Sequence, residues 1–159
     1  LEDVMDYVRM SPLKKRDYSL CVILQDVVER IVTPENVGVH LPQNDREIFC
    51  DPEKLEIVFV NLIMNAIQAI ETKNGIVSIG IFDDPQDSSN VLVKVSDTGA
   101  GIPEDVLPKI FEPLFTTKQV GTGLGLSIAR EIAQKYRGHL SFERSPLGGL
   151  AVSTVLPSD

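Results

Sequence analysis

The chain has 159 residues, 43% of them hydrophobic, a size at which one domain buries roughly 70% of its unfolded surface, so a single globular unit is expected. Its formal charge of −8, with no basic run, disfavours nucleic acid and anionic membrane surfaces. An anionic ligand must then be held locally, by backbone amides, a metal or a few placed cations. No apolar stretch approaches about 18 residues and no basic segment leads into an apolar one, so neither a membrane span nor a signal peptide is expected. The two cysteines, Cys21 and Cys50, lack metal-ligand spacing and read as buried thiols in a reducing compartment.

In chain order, LEDVMDYVRM has apolar residues at 1, 4, 5 and 8, one face of a helix that stops before Ser11-Pro12. It reads as the tail of a longer helix, followed by a polar connector, SPLKKRD. LCVILQDVVERIV is a buried helix capped by Ser19 or by nearby polar groups and ended before Thr33-Pro34. NVGVHLP and REIFC alternate as a short strand pair. Asp51-Pro52-Glu53 then opens a central helix: an acidic N-cap, proline at the first helical position, and a glutamate that suits the dipole. That helix is expected to run to about Thr72 and end at Asn74-Gly75. IVSIGIF and VLVKVS are strands joined by the polar loop DDPQDSSN. From DTGAGIP to about Gly121 little periodicity survives, as in a long loop with short helical turns. LGLSIAREIAQKYR is an amphipathic helix closed by Gly138, and HLSFER and LAVSTVLP are strands around a SPLGG turn. Helices and hairpins mixed in this way predict an α+β fold, a two-layer sandwich with helices on one face of a mixed sheet.

Three clusters point to chemistry. On the central helix Lys54, Asn61, Asn65, Gln68 and Thr72 recur at helical spacing and form one polar stripe among Leu62, Ile63, Met64, Ala66 and Ile67. A solvent-facing edge is the plain account of such a stripe. A polar cleft accounts better for amides without charges between them, because each one buried unpaired would cost about 1 to 3 kcal/mol. An amide oxygen is also a neutral ligand that Mg²⁺ accepts beside waters and phosphates. DTGAGIP sets the carboxylate of Asp97 at a strand end, where it can accept a hydrogen bond from an exocyclic amine, while Gly99 and Gly101 let a flat ring approach the backbone. GTGLGLSIAR places Gly121, Gly123 and Gly125 at a helix start, whose amides suit phosphate. It matches neither the P-loop nor the dinucleotide fingerprint. Between them IFEPLFTTKQV is a surface loop pinned by two aromatics, or a lid docked by Phe111 and Phe115 whose Lys118 reaches a terminal phosphate.

Taken in order, NLIMNA at 61–66, DTGAG at 97–101, FEPLFTTK at 111–118 and GTGLGL at 121–126 resemble the N, G1, F and G2 boxes of the ATP-binding catalytic domain of two-component sensor histidine kinases. NAIQA with FEPLFTTK looks most like the nitrogen-regulation branch. The resemblance covers about residues 11 to 157. It implies a Bergerat-type α/β sandwich, with a mixed sheet of about five strands under three main helices, binding MgATP between the long helix and the lid. By resemblance Asn65 is the Mg²⁺ ligand and Asn61 lies near the phosphates. Asp97 takes the adenine amine, with Gly99, Gly101 and Ile102 beside the base. Thr117 and Lys118 belong to the lid, Lys118 near the γ-phosphate. Gly121, Thr122, Gly123, Leu124, Gly125 and Leu126 form the phosphate loop. Catalysis would rest on Asn61 and Lys118.

The chain departs from the pattern in two places. Many relatives have a basic residue and an aromatic where Gln68 and Ala69 stand, so ATP loses a cation and a stacking partner. The phosphoacceptor histidine box is absent: His40 and His139 sit in strand-like contexts and read as structural. The resemblance therefore implies that residues 1–10 end the second dimerisation helix and 11–159 form the catalytic domain. That domain would transfer the γ-phosphate to a histidine on the upstream dimerisation domain, for relay to a response regulator aspartate. A monomeric isolated domain, a homodimeric full-length protein and a cytoplasmic location for this domain are implied; no nucleic-acid partner is expected. Clamp ATPases of the same superfold and the anti-sigma serine kinases place a glutamate where Asn61 stands. An amide cannot take a proton from water, so Asn61 argues against hydrolysis. A degenerate nucleotide-binding module is the third reading, disfavoured by the intact Asn65, Asp97 and glycines.

Overall fold

In the computed structural model the described residues are 8–101, 105 and 125–159. Residues 8–10 are helical, and the elements that follow are β1 (Arg16–Ser19), α1 (Leu20–Arg30), β2 (Val37–His40), β3 (Glu47–Cys50), α2 (Pro52–Ile70), β4 (Gly75–Asp83), β5 (Asn90–Asp97), α3 (Gly125–Lys135), β6 (His139–Arg144) and β7 (Leu150–Pro157). The main sheet has five strands in the order β2-β4-β5-β7-β6, parallel between β2 and β4 and antiparallel elsewhere. The α+β sandwich with helices on one face of a mixed sheet is the observed architecture.

Alternation builds the layer between sheet and helices. Val77, Ile79 and Ile81 of β4 face Asp97, Val95 and Val93 of β5, and the latter two face Val152 and Thr154 of β7. All are buried, so this face is the one the helices cover. Onto it α2 presses Leu55, Val58, Phe59, Leu62, Ile63, Ala66, Ile67 and Ile70, an apolar stripe spaced three and four apart. With α1 and α3 it encloses one continuous core.

The caps act as the sequence expects. Ser19 accepts the Val22 N–H and Asp51 accepts the Lys54 N–H, with Pro52 in the first turn of α2. Three expectations fail. Within the connector SPLKKRD, Arg16 and Asp17 already belong to β1, which the charged sequence RDYS does not advertise. Its partner is β3, antiparallel, with Arg16 opposite Cys50, in a separate two-stranded sheet. NVGVHLP and REIFC are therefore not a strand pair. Instead β2 lies parallel to β4, and a parallel partner demands a long crossover, here β3 and α2. Finally, α2 stops at Ile70, two residues short of Thr72, because Glu71 turns to φ 58° and donates its N–H to the Gln68 carbonyl. The Asn36 amide holds that exit, donating to the carbonyls of Glu71 (2.9 Å) and Lys73 (2.6 Å).

Candidate functional site

Along α2 the polar stripe divides into unlike parts. Lys54 is only 6% exposed, so it belongs to the interior, and Thr72 lies exposed beyond the helix end. Between them Asn61, Asn65 and Gln68 are half-buried. Asn61 is satisfied locally: its Nδ2 donates to the Ile57 carbonyl one turn back, at 2.7 Å. Asn65 and Gln68 are not. Asn65 Nδ2 and Gln68 Oε1 are both buried with no hydrogen-bond partner among the described residues. Such groups are costly in a folded chain unless something else supplies the bond.

The end of β5 comes to the same place. Asp97 continues the inward-facing series Val91, Val93, Val95, and is 3% exposed. Burial pushes its carboxyl above the ordinary value of 3.8, while the Gly99 and Leu150 amides pull it down by bonding the ionised form. Both amides go to one oxygen: Oδ1 accepts the Gly99 N–H at 2.8 Å and the Leu150 N–H at 3.3 Å. Among the described residues no hydrogen bond reaches Oδ2. The backbone after Asp97 lies directly on the last turn of α2, since a Cβ at Gly99 would sit 2.5 Å from the Ala69 carbonyl oxygen. Only glycine permits that approach. It sets the Asp97 strand end beside the turn that carries Asn65 and Gln68. Gly101 follows with φ +79°.

The third wall is α3. At its C-terminal end the Tyr136 hydroxyl accepts the Asp51 N–H (2.7 Å) and donates to the Asp51 carbonyl (3.1 Å), at the N-terminal cap of α2. The two helices pack along each other, so α3 runs back against α2. Over its eleven residues, about 16 Å at 1.5 Å per residue, it carries its first residue, Gly125, toward the half of α2 that bears the amides. Leu126 is buried in the core. Ile102, Phe111, Phe115, Thr117, Lys118, Gly121, Thr122, Gly123 and Leu124 lie outside the described residues.

The structure thus brings Asn65, Gln68, Asp97, Gly99 and Gly101 together, and orients the start of α3 toward them. The sequence reading missed the backing of Asp97 by the β6–β7 turn. Gly149 donates its N–H to the Asp97 carbonyl at 3.2 Å; Leu150, 53 residues from Asp97, bonds the carboxylate. The Gly148-Gly149 pair is a turn signal with no pointer to Asp97; the pairing of Ser96 with Ala151 puts it there. His40 and His139 lie exposed in β2 and β6. Cys50 is buried but Cys21 is half-exposed, donating to the Asn44 carbonyl at 3.0 Å. Burial, with Asp45 beside Cys21 and Asp51 beside Cys50, pushes both thiols up to about 11, so neither is a ready nucleophile. No helix among the described residues is long and apolar enough to cross a membrane.

Residues 50–159 match the family model described as "Histidine kinase-, DNA gyrase B-, and HSP90-like ATPase". The chain is 37% identical over 141 residues to sporulation kinase E of Bacillus subtilis (strain 168), covering 85% of this chain and 19% of that protein. It is 34% identical over 143 residues to the sensor histidine kinase ZraS of Escherichia coli (strain K12), covering 89% of this chain and 29% of that one. Among solved structures, the catalytic domain of histidine kinase ThkA in a nucleotide-free form superposes with a TM-score of 0.78 at 31% identity, covering 91% of this chain and 96% of that one. The chain therefore spans less than a third of the length of these two curated relatives.

Proposed function

Because the chain belongs to the histidine kinase-, DNA gyrase B- and HSP90-like ATPase family, we propose that it is the ATP-binding catalytic domain of a sensor histidine kinase. In this reading it binds MgATP between α2 and the segment before α3. It presents the γ-phosphate to a histidine on a dimerisation domain, from which a response regulator aspartate takes the phosphoryl group. The observation that carries the reading is a pair of buried amide atoms, Asn65 Nδ2 and Gln68 Oε1, without a partner among the described residues, beside a buried carboxylate whose Oδ2 none of those residues bonds. A nucleotide with a hard cation completes such a set: the base amine for Asp97, a phosphate oxygen for the Asn65 Nδ2 donor, and a donor or the cation for the Gln68 Oε1 acceptor.

The donor set fits magnesium, since one amide oxygen with waters and phosphates is a normal Mg²⁺ environment and no carboxylate cluster is needed. The Asn65 side-chain oxygen would hold the metal, which would supply neutralisation of charge on the phosphate oxygens. Asp97 fixes the base, with Gly99, Gly101 and Ile102 against its plane. By the family resemblance, residues 121–126, which run into α3, would hold the phosphates by backbone amides, and Thr117 and Lys118 would serve the γ-phosphate. Phosphoryl transfer then forms a nitrogen–phosphorus bond to the acceptor imidazole as the bond to the ADP oxygen breaks, and positioning carries most of the catalysis. Asn61 favours transfer over hydrolysis. Its Nδ2 is bound to the Ile57 carbonyl and an amide cannot deprotonate water, whereas clamp ATPases keep a glutamate there. The NAIQA and FEPLFTTK variants favour the nitrogen-regulation branch. Residues 1–10 would end the second dimerisation helix, residues 11–159 form the catalytic domain, and the full-length protein would be a homodimer with this domain in the cytoplasm.

Two measurements test the reading. Asn65→Ala should abolish Mg²⁺-dependent ATP binding in calorimetry while the fold persists by circular dichroism; unchanged affinity removes the metal role. Mixed with a separately made acceptor-helix domain and MgATP, the chain should produce acid-labile phosphohistidine. Steady phosphate release without any acceptor would instead favour an ATPase.

A further inference from the structure

The turn between β6 and β7 lies directly against Asp97. It is closed by its own hydrogen bonds: Ser145, 3% exposed, donates its N–H to the Gly149 carbonyl at 2.7 Å, while its own carbonyl and hydroxyl accept the N–H groups of Gly148 (3.0 Å) and Leu147 (3.0 Å). A Cβ at Gly149 would collide with Asp97 Oδ1, lie 2.6 Å from the Asp97 carbonyl oxygen and 2.8 Å from the Gly99 nitrogen. Glycine at 149 is therefore what lets the Leu150 amide reach the carboxylate.

The Gly99 amide, two residues on, holds the carboxylate only from the chain segment that follows Asp97 itself at the end of β5. A second amide, from the neighbouring strand β7, ties the same oxygen to the sheet. An ionised carboxylate only accepts hydrogen bonds, and with Oδ1 occupied the one remaining acceptor is Oδ2. A purine amine satisfies it. In the pose that brings the 6-position of the base to Oδ2, a purine 6-oxo group sets oxygen against oxygen.

We propose that the β6–β7 turn, through Gly149 and the Leu150 amide, is a positioning element that sets the base selectivity of the nucleotide site, making Asp97 accept adenine and refuse 6-oxopurines. This rests on the reading of Asp97 as the partner of the base amine, and the experiment separates the two. ATP and inosine triphosphate, whose base carries an oxo group in place of the amine, are compared by calorimetry on the unaltered chain, Gly149→Ala, Asp97→Asn and the double variant. Gly149→Ala should lower ATP affinity roughly tenfold, the scale of one bond to a charged group, and inosine triphosphate affinity less than about twofold. In the Asp97→Asn background it should cost no further selectivity, because both changes act on one side chain.

Equal loss of both nucleotides in Gly149→Ala, or an additive loss of selectivity in the double variant, overturns the positioning role. Selectivity lost in Asp97→Asn but kept in Gly149→Ala overturns the proposal alone. Selectivity kept in Asp97→Asn overturns the adenine reading as well. Should Gly149→Ala fail to fold, the unaltered chain decides: ATP should shift the Leu150 amide resonance more than inosine triphosphate does, and equal shifts overturn the proposal.

Discussion

The two ends of α2 handle buried polar groups in opposite ways. At the N-terminal end, Asp51 is 5% exposed and fully engaged: its carboxylate accepts the N–H groups of Lys14 (2.9 Å) and Lys54 (3.2 Å), and its backbone exchanges two bonds with Tyr136. Lys15 closes the cluster, its ammonium 5.3 Å from the centre of the Tyr136 ring. Further along the same helix, Asn65 and Gln68 each keep a buried atom without a partner among the described residues, and none of those residues bonds the second oxygen of Asp97. A closed network is finished by folding. An open one is finished by a ligand, so polarity on an apolar helix means architecture in the first case and binding in the second.

If that contrast is right, damage to the closed end should cost stability and spare nucleotide affinity. The largest effect belongs to Asp51→Ala, which removes a helix cap and strands the Lys14 N–H; it should lower the unfolding free energy by about 3 kcal/mol in urea titration. Tyr136→Phe, which orphans the Asp51 N–H, should lower it by about 2 kcal/mol. A loss of ATP affinity comparable to that of Asn65→Ala in either variant would erase the distinction between the two ends.

Thr154 sharpens the comparison from another side. Its hydroxyl is also without a partner among the described residues, but the residue is 0% exposed and beyond the reach of a ligand. Thr154→Val should therefore raise stability by about 1 kcal/mol and leave ATP binding unchanged. A drop in stability would mean that an orphaned polar atom is a poor guide to function in this fold. The smallest effect is expected at Asp97, where two amides offset part of the burial. Its carboxyl is raised above 3.8, so the folded chain binds that proton more tightly than the unfolded one. The corresponding stability is present below pH 3.8 and is lost as pH rises through the raised value. Asp97→Asn should remove that loss, leaving the nucleotide-free chain at least as stable at neutral pH as the unaltered one, by thermal melting from acid to neutral pH. A variant markedly less stable at neutral pH would make Asp97 a structural carboxylate like Asp51.

Much of this was legible from spacing alone. The caps at Ser19 and Asp51, the turn of Asp97 into a glycine-rich loop and the anomaly of Asn61, Asn65 and Gln68 are local patterns, dictated by backbone groups a few residues apart. Spacing alone sets those three amides on one stripe, and the Asn61 bond to the Ile57 carbonyl is what separates it from the other two in bonding. The same stripe wrongly extended to Lys54, because helical spacing assigns a residue to a face without saying what packs on that face.

By itself the sequence determined which residues alternate, which cap and which turn, because those properties depend on the local backbone. Only the tertiary structure decided who pairs with whom. A two-residue period says that Ile48 and Cys50 point inward, but not that β3 takes β1 as its partner and leaves β2 to lie parallel to β4. It marks Gly148-Gly149 as a turn, but not as the turn that places an amide on Asp97. Register between distant strands is set by the packing of the whole sheet against α2 and α3, where each shift by one residue would turn the buried face outward.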